Sequence, residues 1–271
     1  MRYTHFHLKS PLKAETEDAF AIQPATGIYA VLDGVTPLHD YRDAEGHNGA
    51  HIAAQLFKSK LERPDVDPAM PLTDLVNAAN RDLRQLMLKA GVDLTVLHEL
   101  WSTCVAAVRV RETEAMVDFA QLGDSMIVAV YRDGTFKSLT ENRVQGVTSR
   151  SAAYREAARR DGADLPDEAY FDIPKHRYAY NRTLANRPEG YGVANGMPDI
   201  GVHLQHGTIP LDGLSSLLLF TDGFFHPDYE LEKAAPRMIE LGFEAYVDEV
   251  VAAEKSKQAQ PDDRTAIRLT F

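Results

Sequence analysis

Three apolar segments of this chain each stop at an aspartate that has a glycine beside it. The segments and their ends are Gly27–Leu32 with Asp33-Gly34, Ala115–Leu122 with Gly123-Asp124, and Leu217–Phe220 with Asp222-Gly223. Short apolar runs bounded by turn residues are typical of β-strands. A further aspartate pair, Asp262-Asp263, precedes the alternating segment Thr265–Phe271. We therefore expect a fold in which several strands begin or end at a carboxylate.

The rest of the pattern mixes antiparallel strands with helices. We predict further strands at Thr103–Val110, Met126–Tyr131 and Phe136–Leu139, and helices at Gly49–Leu61, after an N-cap at Thr73, and at Ala234–Lys255 with a bend or break at Gly242. The order of these elements is neither a regular βαβ series nor all-β. An α+β fold, with helices covering antiparallel sheet, fits this order.

A polar insert separates the two halves of this pattern. Between about residues 145 and 197 the chain is rich in Arg, Asn, Gly and Pro, and only Ser151–Arg160 has a helical pattern. A long, weakly patterned segment in a compact domain is usually a functional surface element. Since no linker or repeat interrupts the chain elsewhere, we expect residues 1–271 to form a single domain.

The composition excludes several classes of protein. The formal net charge of −11 argues against a nucleic-acid binder, which must neutralise phosphates with clustered Lys and Arg. Cys104 is the only cysteine, which excludes an intramolecular disulfide and a thiolate zinc cluster. No apolar signal core follows the first residues, and no segment reaches the ~18 apolar residues that span a membrane. We expect a cytoplasmic protein without a membrane partner.

The aspartates at the strand ends are the candidate chemical groups. A single Asp-Gly pair is most often an ordinary turn. Several carboxylates at one sheet edge, however, repel each other unless a cation neutralises them, and Mg²⁺ or Mn²⁺ prefers carboxylate, carbonyl and water oxygens. The glycines allow the backbone to turn so that a carbonyl faces the same space. Taken together, the set indicates a metal site.

The ordered set of motifs resembles the type 2C protein phosphatases, the metal-dependent PPM family, including its bacterial sporulation-regulator branch. The matching blocks are Glu17-Asp18-Ala19-Phe20, Val31-Leu32-Asp33-Gly34, Ser102-Thr103, Leu122-Gly123-Asp124-Ser125, Leu139-Thr140, Phe220-Thr221-Asp222-Gly223 and Asp262-Asp263-Arg264-Thr265. They follow the family order over almost the whole chain. The resemblance implies a β-sandwich of two antiparallel sheets flanked by helix pairs, with the polar insert where many members carry a flap.

The resemblance also implies a role for each acidic position. Asp33 bridges two metal ions, either Mn²⁺ or Mg²⁺. Asp222 and Asp262 complete the first metal site, and Glu17 with the Gly34 carbonyl completes the second. The remaining positions are Asp18 and Asp263, which orient the ligands, and Asp124, which matches a ligand of a weaker third metal.

The implied activity is hydrolysis of phosphoserine and phosphothreonine in proteins by a metal-activated water. A covalent route is disfavoured, since Cys104 to Arg109 is one residue too short for a cysteine-phosphatase loop, and Asp33-Gly34-Val35-Thr36 lacks the second aspartate of an aspartyl-phosphate enzyme. Two alternatives stay open. One is a weak or inactive phosphatase fold that binds or senses a partner, and the other is a phosphatase of small molecules.

Three positions depart from the family pattern. Val35 stands where the family commonly has a histidine that protonates the leaving oxygen, which leaves His47, or less favourably His39, as a substitute acid. Lys13 stands where eukaryotic members have a phosphate-binding arginine, and a lysine offers only a point charge. His226 replaces an aspartate of the third metal site, so that site lacks an expected ligand.

Overall fold

Two five-stranded antiparallel sheets form the centre of the protein, which is described by a computed structural model of residues 1–271. The first sheet has the order β1 (Arg2–Leu8), β10 (Arg264–Thr270), β9 (Leu214–Phe220), β6 (Met126–Tyr131) and β7 (Phe136–Ser138). The second has the order β2 (Asp18–Gln23), β3 (Ile28–Gly34), β4 (Thr103–Arg111), β5 (Met116–Leu122) and β8 (Gln205–Pro210).

The two sheets pack face to face, and the side chains of each strand point alternately toward the other sheet and toward the helices. In β3, Tyr29 and Val31 point into the core between the sheets, where they meet Leu219 and Ile267 of the first sheet. Successive side chains of a strand point to opposite faces. The intervening residues of β3 therefore point outward, into a second core beneath helices.

Helix pairs cover both outer faces. On the second sheet lie α1 (Gly49–Leu61) and α2 (Leu72–Lys89), and on the first lie α6 (Leu231–Leu241) and α7 (Phe243–Lys257). The resulting four-layer α-β-β-α sandwich confirms the predicted fold class. No helix of the protein combines the length and the apolar character needed to cross a membrane.

The polar insert contains three helices rather than one. These are α3 (Val147–Arg160), α4 (Glu168–Phe171) and α5 (Pro174–Thr183). They pack around the buried guanidinium of Arg155, which donates to both carboxylate oxygens of Glu168 at 3.0 and 2.7 Å and lies 4.0 Å from the centroid of the Phe171 ring. An ion pair capped by aromatic rings replaces an aliphatic core here, so the sequence shows no strong apolar period.

Several boundaries differ from the predicted ones. The break at Gly242 is confirmed, since α6 and α7 are separate helices. The N-cap at Thr73 is wrong, because α2 begins at Leu72 after Pro71 and has no side-chain cap. Strands β2 and β8 were not predicted; β8 is a polar edge strand with alternate residues exposed, and its sequence has little apolar content.

Candidate functional site

Acidic residues from both sheets meet at one end of the sandwich. We call this group the acidic cluster, and it consists of Glu17, Asp18, Asp33, Asp124, Asp222 and Asp262. Asp18 at the start of β2 pairs in register with Asp33 near the end of β3. Ligand atoms of Asp33, Asp124 and Cys104 lie within 4.8 Å of one another. The structure thus brings together the carboxylates that the sequence placed at separate strand ends.

Hydrogen bonds between the sheets hold the cluster in place. The Thr221 hydroxyl, just after β9, donates to Asp18 Oδ2 at 2.8 Å, which ties the second sheet to the first. The Asp263 carboxylate accepts backbone N–H groups of Ser10 and Glu17, both at 2.7 Å. The buried Asp263 side chain therefore fixes the backbone of Ser10 and Glu17, and the buried Asp18 side chain holds Thr221 of the other sheet.

Two glycines allow the close approach of backbones around the cluster. A Cβ added at Gly34 would lie 2.5 Å from the Glu17 carbonyl oxygen and 2.6 Å from that of Ala50. One added at Gly223 would lie 1.9 Å from the Asp263 carbonyl oxygen. Since such contacts are impossible for any side chain, the glycine after each aspartate is required by packing as well as by the turn.

The carboxylates of the cluster strongly perturb each other. Burial raises the pKa of Asp33 well above its ordinary value, and the charges of Asp222 and its neighbours raise it further. Burial and the same repulsion raise the pKa of Asp222. A divalent cation among these groups would offset both costs, because it favours the charged form of every carboxylate. The donor set contains carboxylate and carbonyl oxygens, which fits Mg²⁺ or Mn²⁺.

Lys13 lies inside the acidic cluster. Its Nζ is 2.6 Å from Asp262 Oδ1, 2.8 Å from Glu17 Oε2 and 3.3 Å from Asp263 Oδ2. The ammonium therefore neutralises two of the carboxylates expected to bind metal. For Lys13 to bind phosphate, it must exchange at least one of these ion pairs for the substrate.

Asn48 and Thr36 are site residues that no sequence motif indicates. Asn48 Nδ2 donates to Glu17 Oε1 at 2.6 Å, and the Thr36 hydroxyl donates to Glu17 Oε2. Asn48 is also the N-cap of α1, where its side-chain oxygen accepts the His51 N–H at 2.9 Å. An asparagine before a helical pattern signals a cap, but its contact with Glu17 depends on tertiary structure.

The insert reaches the loop that follows β3. Arg182 of α5 donates to the backbone carbonyl of Thr36, and to that of His98 at 3.3 Å. Because Thr36 itself contacts Glu17, the insert is connected to the acidic cluster through a single intervening residue. The surface element predicted from composition thus lies beside the candidate site.

Of the three histidines considered from the sequence, His47 and His226 lie at the margin of the cluster, and His39 pairs with Glu99 at 3.4 Å. The polar contacts of the His47 ring are to Asp43 at 3.4 Å and Glu45 at 3.8 Å rather than to the cluster. His226 accepts the N–H of Asp228 through Nδ1 at 3.1 Å and stacks on Tyr229. It lines a cavity of about 660 Å³ that also reaches Asp124 and Asp222. This cavity gives the carboxylates access to solvent.

Comparison with known proteins places the chain among phosphatases. The sequence model of a family described as Protein phosphatase 2C matches residues 9–262. No curated protein matches the chain.

Solved structures with the same fold include the serine/threonine phosphatase Stp1 from Staphylococcus aureus, with a TM-score of 0.62 and 15% identity over 99% of this chain and 94% of that one. The serine/threonine phosphatase PstP/Ppp of Mycobacterium tuberculosis has a TM-score of 0.62 and 17% identity over 100% and 98% of the two chains. The catalytic domain of PstP in complex with two manganese ions has a TM-score of 0.56 and 18% identity over 98% and 96%.

Neutralising Asp33 should stabilise the protein when divalent cations are chelated. Because folding raises the pKa of Asp33, the folded state binds more protons than the unfolded state. Stability is then lost as the pH rises from about 4, the pKa of an unfolded aspartate, through the folded value. Asp33→Asn removes this cost. Its melting temperature should exceed that of the wild-type protein at about pH 8 and approach it near about pH 4.

The matched control is Asp248→Asn, which removes an exposed carboxylate from α7. Thermal melts in chelator should show no gain for this variant at either pH. If Asp33→Asn melts at or below the wild-type temperature at the higher pH, repulsion in the acidic cluster is not a significant cost.

Proposed function

The chain belongs to the protein phosphatase 2C family, and on that premise we propose that it hydrolyses phosphoserine and phosphothreonine in proteins, with two Mn²⁺ or Mg²⁺ ions as cofactors. The observation that carries the proposal is the acidic cluster, where carboxylates from both sheets meet beside an open cavity. On this proposal the partners are phosphoproteins, and the protein acts in cytoplasmic signalling.

The residues that would hold the metal ions are those that the family resemblance implies, and their side chains belong to the acidic cluster. Asp33, Asp222 and Asp262 would hold one ion, and Asp33, Glu17 and the Gly34 carbonyl the other. When bound, such a pair activates water at neutral pH and neutralises the charge that develops on the phosphoryl oxygens. The chain restrains Glu17 on both carboxylate oxygens through Asn48 and Thr36, so this side chain is already oriented.

A third ion has weaker support. Asp124 lies near Asp33, but its other close neighbour is Cys104. His226, at the position of an expected aspartate, is engaged with Asp228 and Tyr229. We therefore propose a two-ion centre in which Asp124 mainly adds negative charge.

Lys13 would bind the phosphate of the substrate. Val35 cannot protonate the leaving oxygen. The Lys13 ammonium pairs with Glu17 and Asp262, and it would have to give up one of these ion pairs to bind a phosphate in the site. Val35 follows Gly34 in the loop after β3, and its aliphatic side chain has no proton to donate. Protonation of the leaving oxygen then depends on solvent or on a histidine that approaches from the margin.

A second candidate is a phosphatase fold that binds or senses a partner without turnover. Two observations favour it: the ammonium of Lys13 already pairs with Glu17 and Asp262, and Val35 removes the usual acid. A phosphatase of small phosphate esters is a third. Turnover of an aryl phosphate separates the enzymes from the binding module, and turnover of a phosphopeptide separates the two enzymes.

Activity should depend on a divalent cation and on each carboxylate of the first metal site. Chelation should abolish turnover, and added Mn²⁺ or Mg²⁺ should restore it. Asp33→Asn, Asp222→Asn and Asp262→Asn should each lower kcat by at least about 10²-fold at saturating metal, the scale of a lost electrostatic group in an active site. Asp248→Asn, at an exposed position of α7, is the control and should keep full activity. Undiminished turnover in excess chelator would exclude this mechanism.

Absence of the usual acid predicts an unusual substrate preference. General acid catalysis is worth about 10²–10⁴-fold and matters most for a poor leaving group such as a serine alkoxide. The enzyme should therefore turn over aryl phosphates well and phosphoserine peptides slowly.

His47→Ala tests whether His47 replaces the missing acid. If it does, kcat should fall by about 10²-fold or more on the phosphoserine peptide and much less on the aryl phosphate. The matched control is His206→Ala, an exposed histidine on β8. Equal small effects of His47→Ala on both substrates would leave solvent as the proton source.

A further inference from the structure

A second group of ligating side chains lies outside the acidic cluster. Glu15 precedes β2, His47 precedes the N-cap of α1, and His51 is in the first turn of that helix. Each offers one ligand atom, and the three atoms lie within 4.8 Å of one another. Their side chains are 18%, 37% and 17% exposed, respectively, so the group is sheltered but accessible to an ion.

The histidine rings are held in a defined arrangement. They stack with 4.3 Å between centroids and 18° between planes, so their in-plane lone pairs are nearly parallel, and binding one ion in common requires one ring to rotate about its Cβ–Cγ bond. His51 Nδ1 lies 2.8 Å from the Thr16 carbonyl oxygen, which can only accept a proton, so Nδ1 is the protonated nitrogen of the neutral ring. The lone pair is then on Nε2. A histidine that donates one ring N–H to a backbone carbonyl is the usual arrangement of a metal ligand.

Glu15 supplies an independent sign that a ligand belongs here. Its Oε1 accepts the Asn48 N–H at 3.0 Å and also an N–H of Arg42. Its Oε2 is buried and has no hydrogen-bond partner, and it lies 3.8 Å from His51 Nδ1. A buried carboxylate oxygen without a partner costs free energy that a bound cation would recover.

A comparable group elsewhere lacks this feature. Ligand atoms of His39, His98 and Glu99 also lie within 4.8 Å of one another. There, Glu99 already pairs with His39 at 3.4 Å, His39 is 44% exposed, and neither carboxylate oxygen is buried without a partner. The unsatisfied Glu15 oxygen therefore singles out the first group.

We propose that Glu15, His47 and His51 form a binding site for a transition-metal ion of the zinc class, separate from the acidic cluster. Two imidazoles with one carboxylate suit Zn²⁺ better than Mg²⁺ or Mn²⁺, which prefer oxygen ligands. Asp43 Oδ2 lies 3.4 Å from His47 Nδ1, close enough to pair with that nitrogen while Nε2 binds the ion. The proposal is independent of the phosphatase activity.

An ion at this site also immobilises a segment that the acidic cluster uses. Asn48 lies between the two histidines in the chain and contacts Glu17. A bound ion holds both flanks of Asn48, and a His47 ring that coordinates it is not free to act as an acid. Zinc-class ions should therefore be kept out of the assays of His47.

The test is a calorimetric titration of the full chain with Zn²⁺ alone. The wild-type protein should show a binding step that His51→Gln and Glu15→Gln each weaken by at least about tenfold, since even an outer partner of a metal ligand is worth about 10–100-fold. His206→Gln, at an exposed histidine on β8, is the matched control and should bind as the wild type does. Thermal melts of every variant verify that it is folded.

The double variant Asp33→Asn, Asp222→Asn separates this site from the acidic cluster. It should lose phosphatase activity yet keep the Zn²⁺ step. If the step is absent from the wild type, persists in His51→Gln and Glu15→Gln, or disappears only in the double variant, the proposal is wrong. None of these outcomes depends on whether the protein is a phosphatase.

Discussion

Like charges buried at one end of the sandwich are the constraint on which the site depends. Carboxylates from β2, from β3, from the turn after β9 and from the segment before β10 share a space where each raises the cost of ionising the others. Such a group persists only if the surrounding fold fixes it and a cation compensates it. The two sheets fix the group through their registers and through the Thr221–Asp18 hydrogen bond. The Lys13 ammonium compensates part of the negative charge.

Several residues around the acidic cluster fix different parts of it. Glycines after the aspartates let backbones approach, and Asp263 holds the backbone of Ser10 and Glu17. Asn48 and Thr36 restrain the Glu17 carboxylate, and Arg182 connects the insert to the same loop. The proposed metal site therefore depends on hydrogen bonds contributed by helix, loop and insert as well as on the strands themselves.

The sequence predicted the parts of this structure that local patterns encode. Apolar runs that end at Asp33, Asp124 and Asp222 are strands, and the order of motifs gave the sandwich. Strand β8 was not predicted because a polar edge strand has no apolar period. Two of the three helices of the insert, α4 and α5, were not predicted because Arg155 with aromatic rings replaces an aliphatic core. The contact of Asn48 with Glu17 joins residues 31 positions apart, and no local pattern records it.

Diffraction from crystals soaked in Mn²⁺, recorded to locate the anomalous scatterers, tests the central claim most directly. We expect two Mn²⁺ ions about 3.5–4 Å apart, both bound to Asp33, with Lys13 withdrawn from Asp262 and Glu17. A cluster that binds no ion at saturating Mn²⁺ and keeps the Lys13 ion pairs would contradict the claim. It would show that the ammonium, rather than a metal pair, is the cation for which these carboxylates are assembled.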